Sequence, residues 1–306
     1  VMHMLTVMIV GLAMGSTVSI AKAIGANDKK EVSRSIGNTV TLFMLVAAGL
    51  MVILLCLAHP IVSVMSTPAE AVSGTVTYLT ICFIGIPFIT AYNIISSIFR
   101  GLGDSKSPMY FIAVACVTNI VLDYVFIGAL HLGPAGAALG TTLSQAVSVV
   151  IALAVILKKN TGISVSKKDF RPQHRAMGQI LRIGILVAMQ DGLIQIAFII
   201  ITVIANSRGL NDAAAVGIVE KVISALFIVP SSMLATVSAL AAQNIGAGKH
   251  DRASKTLKYA ILITFTYGII VAIIGELITA GIVGIFTPRL SCLVHNTCVA
   301  ISSTVH

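Results

Sequence analysis

Long apolar runs without period-two alternation dominate the chain. Residues 35–69, 71–99, 124–157 and 222–248 contain no Asp, Glu, Lys or Arg. Each run exceeds the ~20 residues that one helix needs to cross a bilayer. Barrel strands would alternate lipid-facing and lumen-facing positions over about ten residues, and these runs do not. A backbone in hydrocarbon must satisfy its own hydrogen bonds, so continuous runs of this kind form helices. The pattern predicts eight spans, over residues 1–24, 36–57, 76–99, 109–130, 135–157, 177–204, 213–242 and 257–286. The fold class is all-α, a polytopic membrane helical bundle.

Composition agrees with that reading. The chain is 57% hydrophobic and 10% charged with a mean hydropathy of +1.00, too little charge to cover a soluble domain. The first charge is Lys22 and no basic head precedes the opening apolar stretch, so residues 1–24 read as a span and not as a cleaved leader. The net charge of +9 would fit a nucleic-acid surface, but its placement points elsewhere. Lys22, Lys29, Lys30 and Arg34 surround the first connection, and Arg100 and Lys106 the third. Lys158, Lys159, Lys167, Lys168, Arg171, Arg175 and Arg182 fill the fifth, while Lys249, Arg252, Lys255 and Lys258 fill the seventh. Thus 17 of the 20 basic residues fall on alternate connections, which the positive-inside rule assigns to the cytoplasm. The basic excess sets topology and argues for no nucleic-acid partner. A multi-pass protein of the inner (plasma) membrane is expected.

The chain also repeats itself. Ile24-Gly25-Ala26-Asn27-Asp28 returns as Ile245-Gly246-Ala247-Gly248-Lys249, 221 residues later from Ile24 to Ile245. Ser66-Thr67-Pro68 returns as Phe286-Thr287-Pro288 with a one-residue slip. Six spans separate the two Ile-Gly-Ala connections, and an even number of crossings gives both copies the same orientation. The halves are therefore parallel repeats, two pseudo-symmetric lobes related by an axis along the membrane normal. A period of this size implies twelve helices, of which eight are present here. The expected organisation is an N-terminal lobe over 1–157, a cytoplasmic inter-lobe linker over 158–182, a partial C-terminal lobe over 183–288 and an atypical tail over 289–306. In that tail Cys292 and Cys298 flank His295, but their spacing matches no recognised zinc site.

Charged groups inside spans are expensive and mark functional candidates. Asp123 lies toward the outer end of the fourth span, with Asn119 one turn earlier on the same helix face. A carboxylate and an amide oxygen at this spacing offer hard ligands for Na+, and the carboxylate alone suits proton exchange. Gln190, Asp191 and Gln195 form a polar cluster near the middle of the sixth span, a position suited to a cavity wall. Glu220 stands two turns inside the seventh span beside Lys221. Glu276 aligns through the repeat with Cys56, which no ion site would predict. Gly11-x3-Gly15 and Gly136-x3-Gly140 permit close helix contact, and Pro87 and Pro230 are positioned to kink their spans.

Several motifs carry a resemblance to a known family. They are Arg100-Gly101-Leu102-Gly103-Asp104-Ser105-Lys106-Ser107-Pro108, Asn119-Ile120-Val121-Leu122-Asp123, Gly133-Pro134-Ala135-Gly136-Ala137-Ala138-Leu139-Gly140-Thr141 and Ala242-Gln243-Asn244-Ile245-Gly246-Ala247-Gly248-Lys249. In this order and topology the chain resembles a multidrug and toxic compound extrusion (MATE) transporter, incomplete at both ends. The family's first helix and helices ten to twelve have no counterpart, and Leu186 stands where members often have proline. The resemblance implies a secondary antiporter that exports amphipathic, often cationic, drugs in exchange for Na+ or H+, acting as a monomer without a cofactor. It implies a cation site at Asn119 and Asp123 joined by Ala137 and Thr141, with a further Asp on the first helix. It also matches Gln190 to a glutamine lining the substrate cavity, whereas Asp191 maps to no family residue.

Other classes are disfavoured. Gly246-Ala247-Gly248-Lys249 lacks P-loop spacing, and no His-Glu-x-x-His or Gly-x-Ser-x-Gly element occurs, which argues against a pump or an enzyme. A lipid-linked flippase of the same superfamily would line its cavity with Arg and Lys, and Lys221 is the one basic residue well inside a span. An inactive fragment is the remaining alternative.

Overall fold

The structure is a computed structural model that describes residues 2–64, 69–158, 166, 168–208 and 210–286. The repeated Thr-Pro elements and the Cys292/His295/Cys298 tail lie wholly or partly outside the described residues. Among those described, all regular structure is helical: α1 (Met2–Gly25), α2 (Lys29–Val64), α3 (Ala69–Ile84), α4 (Ile86–Gly101), α5 (Lys106–Asp123), a π-helical segment (Tyr124–Ala129), α6 (Gly133–Lys158), α7 (His174–Arg208), α8 (Leu210–Leu226), α9 (Ile228–Gly246) and α10 (His250–Phe286). Seven continuous helical segments are long and apolar enough to cross a membrane, and the pair α3–α4, bent by 42°, makes an eighth. The eight predicted spans are thus present.

The third span is broken at Gly85, with Pro87 in the first turn of α4. Proline cannot donate to the preceding turn and its ring crowds the carbonyl four residues back. Thr142 of α6 packs within 2.7 Å of where a Gly85 Cβ would sit, so the bend also needs a residue without a side chain. The seventh span has a milder interruption at Phe227, between α8 and α9. Pro230 leaves the Leu226 carbonyl without its helical donor, and the Tyr267 hydroxyl of α10 donates to that oxygen at 3.0 Å.

The repeat is visible in the backbone. At the first connection Ala26 N–H donates to Lys22 O at 3.0 Å and Asp28 N–H to Ala23 O at 3.2 Å. Their counterparts are Ala247 N–H to Gln243 O at 3.0 Å and Lys249 N–H to Asn244 O at 2.8 Å. Asn27 (φ 54°) and Gly248 (φ 70°), equivalent by the repeat, both take the left-handed conformation that ends a helix in this way. Asp28 then caps α2, its Oδ1 accepting the Glu31 N–H at 3.0 Å.

Two compact units divide the chain: residues 1–189 with 242–249, and residues 190–241 with 250–306. In the first unit α1, α2 and α4 enclose a core of Ala13, Ile20, Val32, Phe43, Ile94 and Ile98. Small polar side chains complete it by bonding to backbone, as Thr17 Oγ1 does to Ser97 O at 3.2 Å. The two copies of the repeated turn also meet here. Gly25 abuts the Gln243 backbone and Gly246 abuts the Lys22 backbone, and residues 22 and 243 are themselves repeat equivalents. The contact is reciprocal, as across a two-fold axis. The polar stretch before α7 is held to α2 by Asn38, which is fully buried. Its Nδ2 donates to Asp169 O at 3.3 Å and its Oδ1 accepts the Gln173 N–H at 2.8 Å.

The second unit contains the outer part of α7 with α8, most of α9, and α10. An apolar groove of 910 Å³ runs between α9 and α10, lined by Leu234, Val237, Ala241, Ala260, Ile261 and Phe265 among others.

Candidate cation site and cavity residues

The helices α4, α5 and α6 of the first unit meet along a common seam. At the end carrying the basic connections the seam is apolar. Tyr92, Ile95 and Phe99 of α4 cluster there with Phe111 of α5 and Val149 and Ala152 of α6. The Phe99 and Phe111 rings meet edge to face at 5.5 Å. Toward the other end the chemistry changes.

Phe111, Ala115, Asn119 and Asp123 recur every four residues and so form one stripe along α5. The first two are buried in the core. The last two carry a buried Nδ2 and a buried Oδ1, neither with a hydrogen-bond partner in the structure. A carboxylate oxygen removed from water without a donor is costly, so this arrangement favours a cation. Asp123 closes the α-helical part of its span, and the next turn is π-helical, with Leu130 N–H donating to Val125 O at 2.9 Å. Single π turns of this kind are frequent at functional sites.

The carboxylate lies against Gly140 of α6. A Cβ at that position would collide with Asp123 Oδ1 and stand 3.2 Å from its Cγ. One turn further out, a Cβ on Gly136 would fall 3.1 Å from the Phe126 backbone. The Gly-x3-Gly pair therefore lets α6 approach α5 closely, and its second member makes the space that Asp123 occupies. Sequence reasoning registered the glycine spacing but not this partner. Thr141, beside Gly140, donates its hydroxyl to Ala137 O at 3.0 Å, which leaves the Oγ1 lone pairs free to accept. The four sequence-derived positions Asn119, Asp123, Ala137 and Thr141 thus belong to two packed helices. Asn119, Asp123 and Ala137 are half-buried and Thr141 is exposed. Among the described residues no group of three His, Cys, Asp or Glu side chains is placed to hold a metal. One carboxylate with neutral oxygens suits a monovalent ion better than a divalent one.

The proposed cavity residues belong to the second unit. On α7 Gln190 is exposed, while Asp191 and Gln195 are half-buried. Glu220 of α8 is half-buried and Lys221 exposed, and the Glu220 carbonyl accepts Ser224 Oγ at 2.8 Å. No hydrogen bond gathers these side chains into one cluster among the described residues. The side chain of Glu276 lies outside the described part of α10.

The MatE family model matches the chain in two blocks, residues 1–125 and 173–296. Among curated proteins, the probable multidrug resistance protein YpnP of Bacillus subtilis is 32% identical over 245 residues, 80% of this chain and 54% of YpnP. The probable multidrug resistance protein YoeA of the same organism is 28% identical over 284 residues, 90% of this chain and 61% of YoeA. The chain therefore spans between 54% and 61% of the length of these relatives. Among solved structures, an outward-facing multidrug resistance MATE family transporter of the MOP superfamily superposes with a TM-score of 0.85 at 23% identity. That match covers 98% of this chain and 67% of the other. A MATE structure in the bent conformation gives 0.85 at 24% identity, covering 94% and 64%. At these identities the structural matches establish the fold.

Proposed function

The chain belongs to the MatE family, and on that premise we propose that it forms the larger part of a secondary antiporter. This transporter exports amphipathic, often cationic, compounds across the plasma membrane and is driven by inward Na+ or H+. Residues 1–157 and 183–288 supply its two lobes, joined by the cytoplasmic stretch 158–182. The observation that carries the reading is Asp123, whose buried Oδ1 lies against Gly140 of α6 without a hydrogen-bond partner, one turn from the buried amide of Asn119. Asp123 is the coupling carboxylate, and Asn119 and Thr141 add neutral oxygens beside it. Gln190, Asp191, Gln195 and Glu220 line the substrate path in the second lobe. A multidrug cavity works through shape and loose polar contact, which these amides and carboxylates supply for a cation.

The lipid-linked flippase reading is the weaker one, because an anionic headgroup calls for Arg and Lys along the cavity. Asp191 and Glu220 have the opposite sign. The deciding experiment replaces Asp123 by Asn in the transporter expressed in cells and follows efflux of a cationic dye under imposed Na+ and pH gradients. Ion-driven efflux should disappear while the protein remains in the membrane. Wild-type efflux by the variant would remove Asp123 from the mechanism.

A further inference from the structure

We propose that Gln145 is a further oxygen ligand of the Asn119–Asp123 site, closing its inner end, and that the ion held there is Na+. This rests on reading the site as a coupling-ion site.

Gln145 lies on α6 one turn beyond Thr141, on the face shared by Ala137, Thr141 and Gln145 at four-residue spacing. Three neighbours fix the direction of that turn. Thr142 packs against Gly85 at the α3–α4 bend, while Val149 and Ala152 pack with Tyr92, Phe99 and Phe111. Residues 142, 145, 149 and 152 therefore form the α6 stripe that faces the seam. The α5 register is fixed at both ends, with Asp123 against Gly140 and Ser148 Oγ donating to Phe111 O at 2.9 Å. Between those points Gln145 stands opposite the turn of α5 from Ala115 to Asn119. Its Oε1 is buried and has no hydrogen-bond partner, like Asn119 Nδ2 and Asp123 Oδ1.

On α5 and α6 the seam therefore holds two unpartnered buried oxygens, Asp123 Oδ1 and Gln145 Oε1, with the unpartnered Asn119 amide between them, above an apolar plug. Gln145 is the innermost of them, and Tyr92, Phe99 and Phe111 lie beyond it. An amide oxygen buried without a donor is costly, and a cation offsets that cost. A proton requires only one basic atom, so Asp123 alone would serve proton exchange and an amide oxygen a turn deeper would add nothing. Na+ requires several hard oxygens with little formal charge, which Asp123, Asn119, Thr141 and Gln145 together provide.

The test is direct binding of radioactive sodium to the purified protein in lipid nanodiscs, with thermal stability recorded for each variant. Asp123→Asn should abolish binding. Gln145→Leu should fold and weaken Na+ affinity roughly tenfold, the usual consequence of losing one ligand to a charge. Gln145→Glu should bind Na+ at least as tightly as the wild type and lose it more steeply in acid. Wild-type affinity in Gln145→Leu, with Asp123→Asn inactive, would overturn the Gln145 assignment and leave the site standing. Wild-type binding in Asp123→Asn would overturn the site itself, and absence of Na+ binding in the wild type would overturn the choice of ion. If Gln145→Leu does not fold, Gln145→Glu decides: affinity and pH profile identical to wild type would refute the proposal.

Discussion

Gly140→Ala separates the packing of α5 against α6 from the chemistry of Asp123. The added Cβ would overlap Asp123 Oδ1 and stand 3.2 Å from Cγ and 3.5 Å from the Asp123 nitrogen. Ordinary carbon contacts begin near 3.5 Å, so Cγ must retreat a few tenths of an ångström and the oxygen by about one ångström or more. Gly136→Ala is the matched control. Its Cβ would meet the Phe126 backbone and Cβ at 3.1 Å, on the same helix and against the same neighbouring span, but away from the carboxylate. Overpacking of this kind costs about 1–3 kcal/mol, so both variants should melt at lower temperature by comparable amounts. Their ion binding should differ. Binding sites tolerate displacements of only about 0.5 Å, and a misplacement near 1 Å can cost on the order of a hundredfold. Gly140→Ala should therefore lose Na+ binding or ion-driven efflux by at least roughly tenfold, whereas Gly136→Ala should keep both near wild type. The assay pairs thermal unfolding in detergent with sodium binding in nanodiscs. Equal loss of binding in the two variants would show that α5–α6 packing alone matters, and the carboxylate's seat against Gly140 would carry no special weight.

Two further outcomes follow from single contacts. Asn38→Leu would strip Asp169 O and the Gln173 N–H of their shared partner, and should cost about 1–3 kcal/mol. Trypsin should then cut the Lys168–Arg171 stretch faster in inside-out vesicles, which expose the cytoplasmic face, and an unchanged cleavage rate would refute the tether. Tyr267→Phe should destabilise the second unit by about 1 kcal/mol, because Leu226 O loses the donor that compensates for Pro230. Pro230→Ala should make the Tyr267 change nearly silent by restoring the helical N–H, and additive effects in the double-mutant cycle would contradict that explanation.

The spans were legible in the sequence because hydrocarbon leaves the backbone one choice, and their number survives even where single elements break. The break at Gly85 was signalled by Pro87, two residues away. The π-helical turn after Asp123 was not, since Tyr124-Val125-Phe126-Ile127-Gly128-Ala129 is compatible with an ordinary apolar helix. Spacing alone put Asn119 and Asp123 on one face. The role of Gly140 required the partner helix, because a Gly-x3-Gly pair states that something comes close without saying what. Gln145 went unnoticed for a related reason. Amides in membrane helices usually find a neighbour, and only tertiary packing reveals one that has none. For Gln190, Asp191, Gln195 and Glu220 the sequence supplied polarity and depth, and the structure adds exposure without drawing them together.

The two copies of the repeat share a backbone turn but differ in the side chains at equivalent positions. Through the period of 221, groove residues Leu234, Val237, Ser238, Ala241, Ala260 and Thr264 correspond to Ala13, Ser16, Thr17, Ile20, Thr39 and Phe43. In the first unit all six of those residues are at most 2% exposed, with α4 packed over the helices that carry them. The polar core of the first copy, Ser16, Thr17 and Thr39, has become Val237, Ser238 and Ala260 in the second. A buried hydroxyl layer can hold water or bond to carbonyls within an apolar bundle, and the second copy redistributes it, keeping a hydroxyl at Ser238 and gaining one at Thr264 in place of Phe43. The reciprocal Gly25 and Gly246 contacts show that the turn geometry itself did not diverge. Duplication therefore preserved the elements that join helices while freeing the interior to differ.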